Sequence, residues 1–184
     1  PVCRSAVRIK EQQIRKEVEN GRFFMDKNQL VLYERFLTIL RELTETAHSI
    51  ARAEEEKAVA LSLKRHDLLD GFMKKEQAYI LTLRGLDQHR VRLAKSLGWE
   101  SLTFVQILEK VEPVQKEYLK ILFHDLEQEL RTLQQSKEVA ERMMNVRVYE
   151  LLAAIERQAG IPYDRERKVD FEGFPHTNLC DRYG

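Results

Sequence analysis

Glycine and proline are scarce in this 184-residue chain, at 7 and 4, and a chain so short of turn residues cannot be cut into many short strands. Cysteine is scarcer still. Cys3 and Cys180 stand near opposite ends, which excludes a disulfide framework and a cysteine-based zinc site and fits a reducing compartment. No apolar run approaches the ~20 residues that a membrane-spanning helix needs. No charged-then-apolar leader with a small-residue cleavage site opens the chain. A cytoplasmic location is therefore expected. Charge of one sign is also missing: 31 Lys and Arg face 30 Asp and Glu, interleaved along the chain, so no basic footprint for nucleic acid is expected. Gly-rich phosphate loops, Cys-x-x-Cys, His-Glu-x-x-His and Gly-x-Ser-x-Gly are absent. Without them catalysis has no visible seat, and neither enzyme activity nor a cofactor is expected.

What remains is 43% hydrophobic and 33% charged, rich in the Leu, Glu, Arg, Lys and Gln of long helices, at a length suited to one domain. Three segments differ in character. Residues 1–24 form a charged extension in which Arg4, Arg8, Lys10, Arg15, Lys16 and Arg22 outnumber Glu11, Glu17 and Glu19. Val7, Ile14 and Val18 give it only a thin helical stripe. Met25, followed by the capping residues Asp26 and Asn28, reads equally as a start position, which would make the extension a dispensable leader. Residues 25–160 carry the helical pattern. Residues 161–184, with Pro162, Gly173, Pro175 and dense mixed charge, read as a flexible tail in which Tyr163, Phe171, Phe174 and Tyr183 form either a second docking segment or an inert end.

The helical pattern starts at Leu30. Leu30, Tyr33, Leu37, Leu40, Thr44, Ala47 and Ala51 follow the three-then-four rhythm of a heptad, with Phe36, Leu43 and Ile50 widening the stripe. This predicts a helix over 27–60, a short turn near Ser62 to Asp67, and a second helix over 67–97. Leu69, Phe72, Tyr79, Ile80, Leu83, Leu86, Leu93 and Leu97 give the second helix one broad apolar face, and Gly98 ends it. Gly71, Ala78 and Gly85, seven apart, mark either a close approach by a neighbouring helix or a local weakness in this one. Trp99 to Val111 reads as a short helix capped near Ser101 that closes one end of the bundle, with Trp99 as a core plug. Pro113 suits the first turn of a third long helix that Gly160 and Pro162 terminate. The expected fold is all-α: an antiparallel, coiled-coil-like bundle of three long helices plus one short one.

Helix lengths then carry a functional expectation. At ~1.5 Å per residue the third helix is about 20 Å longer than its partners, so from about Asn145 it overhangs the turn between the first two. Met143, Met144, Val148, Leu151, Leu152 and Ile155 are the residues expected to bind a partner there, the methionines because a flexible thioether repacks against varied apolar surfaces. Glu45 and His48 have the Glu-x-x-His spacing of di-iron bundles. His66, His89, His124 and His176 all lack a glutamate three positions earlier, so the second half of such a site is missing and no metal is expected.

The stretch from Phe36 to about Asp164 resembles the FlgN family of flagellar export chaperones. The resemblance lies in the early Leu-rich helix, in Lys75, Glu76 and Gln77 leading to Leu83 and Arg90, and in Leu97-Gly98 at the close of the second helix. It continues with Asn145 ahead of an apolar stretch and Tyr163 just past the last helix. It covers about two-thirds of the chain; residues 1–24 and the ending from Arg165 depart from it. The resemblance implies a cytoplasmic, non-enzymatic chaperone. Its clients would be the C-terminal helical regions of flagellar hook-associated (hook–filament junction) proteins, kept from assembling early and delivered to the flagellar type III export apparatus. The competing expectation is a structural coiled-coil module whose overhang is covered by a second copy of the chain.

Overall fold

The computed structural model describes residues 27–159. The expectations for the 1–24 extension and the 161–184 tail lie outside these residues. Helix α1 spans Lys27–Ser62, a single 3-10 turn His66–Leu68 follows, and α2 spans Leu69–Ser96, α3 Phe104–Lys110 and α4 Pro113–Ala159. No strand occurs among the described residues.

The heptad of α1 becomes its buried face. Tyr33, Phe36, Leu37, Leu40, Leu43, Ala47, Ile50 and Ala51 are all buried, with the half-buried Thr44 returning its hydroxyl to the Leu40 carbonyl at 2.9 Å. This face is broad because α1 is flanked on two sides. It packs against both α2 and α4, which make little contact with each other. Contacts between α1 and α4 rise together in number: Arg41 with Tyr118, His48 with Glu129, Glu55 with Ser136, and Leu61 with Arg147. Contacts of α1 with the second helix and the turn that follows it run the other way, from Lys57 with Glu76 to Tyr33 and Phe36 with Trp99.

Helices α1 and α2 end in the same hydrogen-bond pattern. After α1, Lys64 N–H donates to Leu61 O at 3.1 Å and Arg65 N–H to Ala60 O at 2.9 Å. After α2, Gly98 N–H donates to Lys95 O and Trp99 N–H to Ala94 O. This is the Schellman ending, whose C′ residue takes a left-handed backbone. Gly98 does so freely at φ 75°, whereas Lys64 does so at φ 58° against the usual steric preference.

Trp99 is buried, its ring meeting Phe36 edge-on at 5.3 Å and Tyr33 at 6.2 Å. The short helix starts later than its apolar residues predict. Ser101 is not its cap; it carries a left-handed φ of 63° in the turn that aims Trp99 inward. The cap is Thr103, whose hydroxyl accepts from Gln106 N–H while the Gln106 side chain accepts from Thr103 N–H, a Thr-x-x-Gln capping box. Phe104 at its start stacks on Phe123 of α4 at 3.9 Å, so this end of the molecule is closed by aromatic rings.

The close-approach reading of Gly71, Ala78 and Gly85 is overturned. All three are exposed, and a Cβ at Gly71 or Gly85 would meet nothing within 4 Å. The broad apolar face of α2 is likewise only partly used: Leu83 and Ala94 are buried, while Phe72, Tyr79, Ile80, Leu86 and Leu93 are half-buried. A helix covering one side of α1, with little of α4 within reach, has no second neighbour to bury the rest.

Candidate functional site

Helix α4 is 47 residues long against 36 for α1 and 28 for α2, or about 70, 54 and 42 Å. Its apolar stripe is buried through Leu126, Leu130 and Ala140. Beyond Ala140 no described residue of α4 is buried.

Arg147 marks the point where α4 leaves its neighbours. Its Nε donates to the carbonyl of Leu61 at 2.7 Å and its Nη2 to that of Ser62 at 2.9 Å. The last carbonyls of a helix have no intrahelical donors, and cations are favoured there by the helix dipole. Since α1 has no basic residue in its last turn, Arg147 supplies this cap from another helix. Glu150 pairs with Arg147 and, at 3.8 Å, with Lys64 of the turn. The hydrogen bond from Arg147 holds the Glu150 carboxyl below its ordinary pKa. The periodicity of the sequence could not reveal this clamp, because its acceptors are backbone carbonyls 85 and 86 positions away.

Past the clamp, Leu151 and Ile155 are 49% and 60% exposed, and Val148 and Leu152 are half-buried. Met144, Val148, Leu151 and Ile155 prolong the stripe of Leu130 and Ala140 at helical spacing, with Leu152 at its edge. Met143 stands apart. It is about a quarter-turn round the helix from Met144 and shares a flank with Val139 and Val146, all three exposed. The six residues predicted to bind a partner therefore divide into five on the overhang stripe and one beside it. Periodicity does not single out Leu63 and Leu68 of the turn below or Val59 in the last turn of α1, all three exposed. Exposed apolar side chains thus occur both on the overhang and at the α1–α2 turn.

A buried ionic cluster lies below this end. Lys57 Nζ is 2.7 Å from Glu54 Oε2 and 3.0 Å from Glu76 Oε2 of α2. Glu54 is only 2% exposed, and burial pushes its carboxyl above the ordinary value although Lys57 opposes the shift. Burial pulls Lys57 down, but its hydrogen bonds and charge contacts with Glu54 and Glu76 carry it above the ordinary lysine value.

His48, half of the Glu-x-x-His pair, lies 3.1 Å from Glu129 of α4. Among the described residues no group of three or more His, Cys, Asp or Glu is arranged to hold a metal ion. No described helix is long and apolar enough to cross a membrane. No protein-family model matches the chain, and comparison with curated proteins and with solved structures gives no match.

Proposed function

We propose that this chain is a cytoplasmic, non-enzymatic export chaperone of the FlgN type. Three helices running up, down and up form a platform, and the free end of α4 takes an amphipathic helix from the C-terminal region of a hook–filament junction protein. The crossed contacts of α1 with α2 and the parallel-rising contacts of α1 with α4 support that arrangement. The observation that carries the binding role is the apolar stripe past Arg147, with Leu151 and Ile155 left 49% and 60% exposed. A client helix laid along it removes both partners' apolar faces from water. It would also keep the client's own assembly surface covered until the flagellar export apparatus receives it. Arg147 serves by fixing the direction in which the stripe leaves the bundle.

Calorimetric titration with a synthetic C-terminal helical peptide of a junction protein tests this reading. Wild-type chain is expected to bind. The double variant Leu151→Asp, Ile155→Asp is expected to lose at least a hundredfold in affinity, about 2.7 kcal/mol, with its thermal melting unchanged, because neither side chain belongs to the core. Equal binding by both chains sinks the site. Absence of binding by wild type, together with a concentration-dependent dimer that the same substitutions abolish, favours a second copy as the occupant.

A further inference from the structure

The two ends of the molecule are packed with different material. Tyr33, Phe36, Trp99, Tyr118 and Phe123 fill the closed end, whereas the buried residues toward the overhang are Ala51, Glu54, Ala58, Ala60, Leu61, Ser136 and Ala140. Small and polar side chains bury less apolar area per residue, so local opening costs least at that end. Helix α2 shows the same gradient. Both of its buried residues, Leu83 and Ala94, lie in its second half, and from Leu69 to Thr82 every side chain is half-buried or exposed.

That first half is tied to α1 by the Lys57–Glu76 ion pair, with Lys57 held at the same time by Glu54, and by Tyr79 at the edge of the core. Lys137 of α4 is the other charged group near the cluster. Gly71 and Gly85 bracket the segment, and neither is needed for packing, since an added Cβ would meet nothing within 4 Å. A glycine inside a helix lowers its local stability, and here it does so at both ends of the weakly held stretch.

We propose that residues 69–82 of α2 are a lid, hinged near Gly85 and latched by Lys57. The half-helix lifts from α1 as a unit while residues 86–96 stay docked. Its opening lengthens the apolar surface that runs from the end of α1, at Leu61, onto the α4 overhang. The functional meaning of the lid rests on the docking role proposed above; the motion itself does not.

Hydrogen exchange of the full chain, read segment by segment, tests the motion without any client. Amides of residues 72–82 are expected to exchange at least tenfold faster than those of 86–96. Lys57→Met is expected to accelerate 72–82 further, with 72–82 still the faster half. Gly71→Ala, on an open surface, is expected to slow 72–82 about fivefold and remains informative if Lys57→Met does not fold. Equal exchange in the two halves, or no acceleration of 72–82 by Lys57→Met, overturns the lid. Its link to docking is read by titrating Gly71→Ala with the junction-protein peptide. Weaker binding than wild type supports the lid as a gate, and unchanged binding with slowed exchange removes it from the docking pathway. If wild type itself fails to bind, the docking reading falls and the exchange result stands on its own.

Discussion

Lys57 holds two carboxylates in a part of the molecule whose other buried residues are mostly alanine. Removing one partner of a buried ionic cluster leaves uncompensated charge, which costs about 3–5 kcal/mol, so Lys57→Met is expected to lose stability on that scale in urea unfolding. Glu54→Gln behaves differently, because it keeps an acceptor for Lys57 and leaves one ammonium facing one carboxylate. Its sign with pH follows from the raised pKa of Glu54. The folded chain takes up this proton more readily than the unfolded chain, so the group's contribution to stability improves as pH falls from neutrality through its folded pKa. The carboxyls of Asp67 and Glu150 are shifted down and act in the opposite direction. The difference between wild type and Glu54→Gln isolates the one group: Glu54→Gln should be the more stable chain at pH 7, and the gap should narrow toward pH 5. A gap that widens as the pH falls contradicts the assignment. Glu54 was legible in part. It is the next step of the heptad after Ala51, a core position filled by an acid, but only its contacts show that Lys57 and Glu76 compensate it.

At the scale of elements, the ends of helices matter more than their middles. The endings of α1 and α2 share one hydrogen-bond pattern but place lysine and glycine, respectively, at the left-handed position. Lys64→Gly relieves that strain and is expected to raise the melting temperature by the equivalent of about 1 kcal/mol, while Gly98→Ala lowers it. Equal effects at the two sites would mean that the turns are not held as described. Trp99 follows its turn into the core, and truncation to alanine is expected to cost about 3–5 kcal/mol, seen as an early unfolding midpoint. The sequence carried the long helices well, because a heptad of Leu, Tyr and Phe has one way to face a core. It carried the short helix less well. Leu102 and Val105 suggest helix as early as Trp99, yet the chain is committed to a turn until Thr103 can cap with Gln106. The small-residue spacing in α2 misled because periodicity reports which positions share a face, and not whether anything packs on it.

The described residues form an asymmetric body, with aromatic rings sealing one end and α4 leaving the other. Length alone made the overhang legible, since a 47-residue helix beside one of 36 must project somewhere. What was not legible is the junction: Arg147 reaching the Leu61 and Ser62 carbonyls, and the exposed turn residues Leu63 and Leu68 beside it. These depend on how two distant segments meet in space. Met143 qualifies for the partner surface by its flexible thioether, yet its place round the helix, beside the exposed Val139 and Val146, sets it apart from the stripe.

If the stripe past Arg147 seats a partner helix, a hydrogen-exchange footprint of the chain with and without the junction-protein peptide reads it without any substitution. Protection is expected in residues 148–159 and at the α1–α2 turn, with the closed end around Trp99 unchanged. Protection at the closed end, with 148–159 exchanging as freely as before, would contradict it.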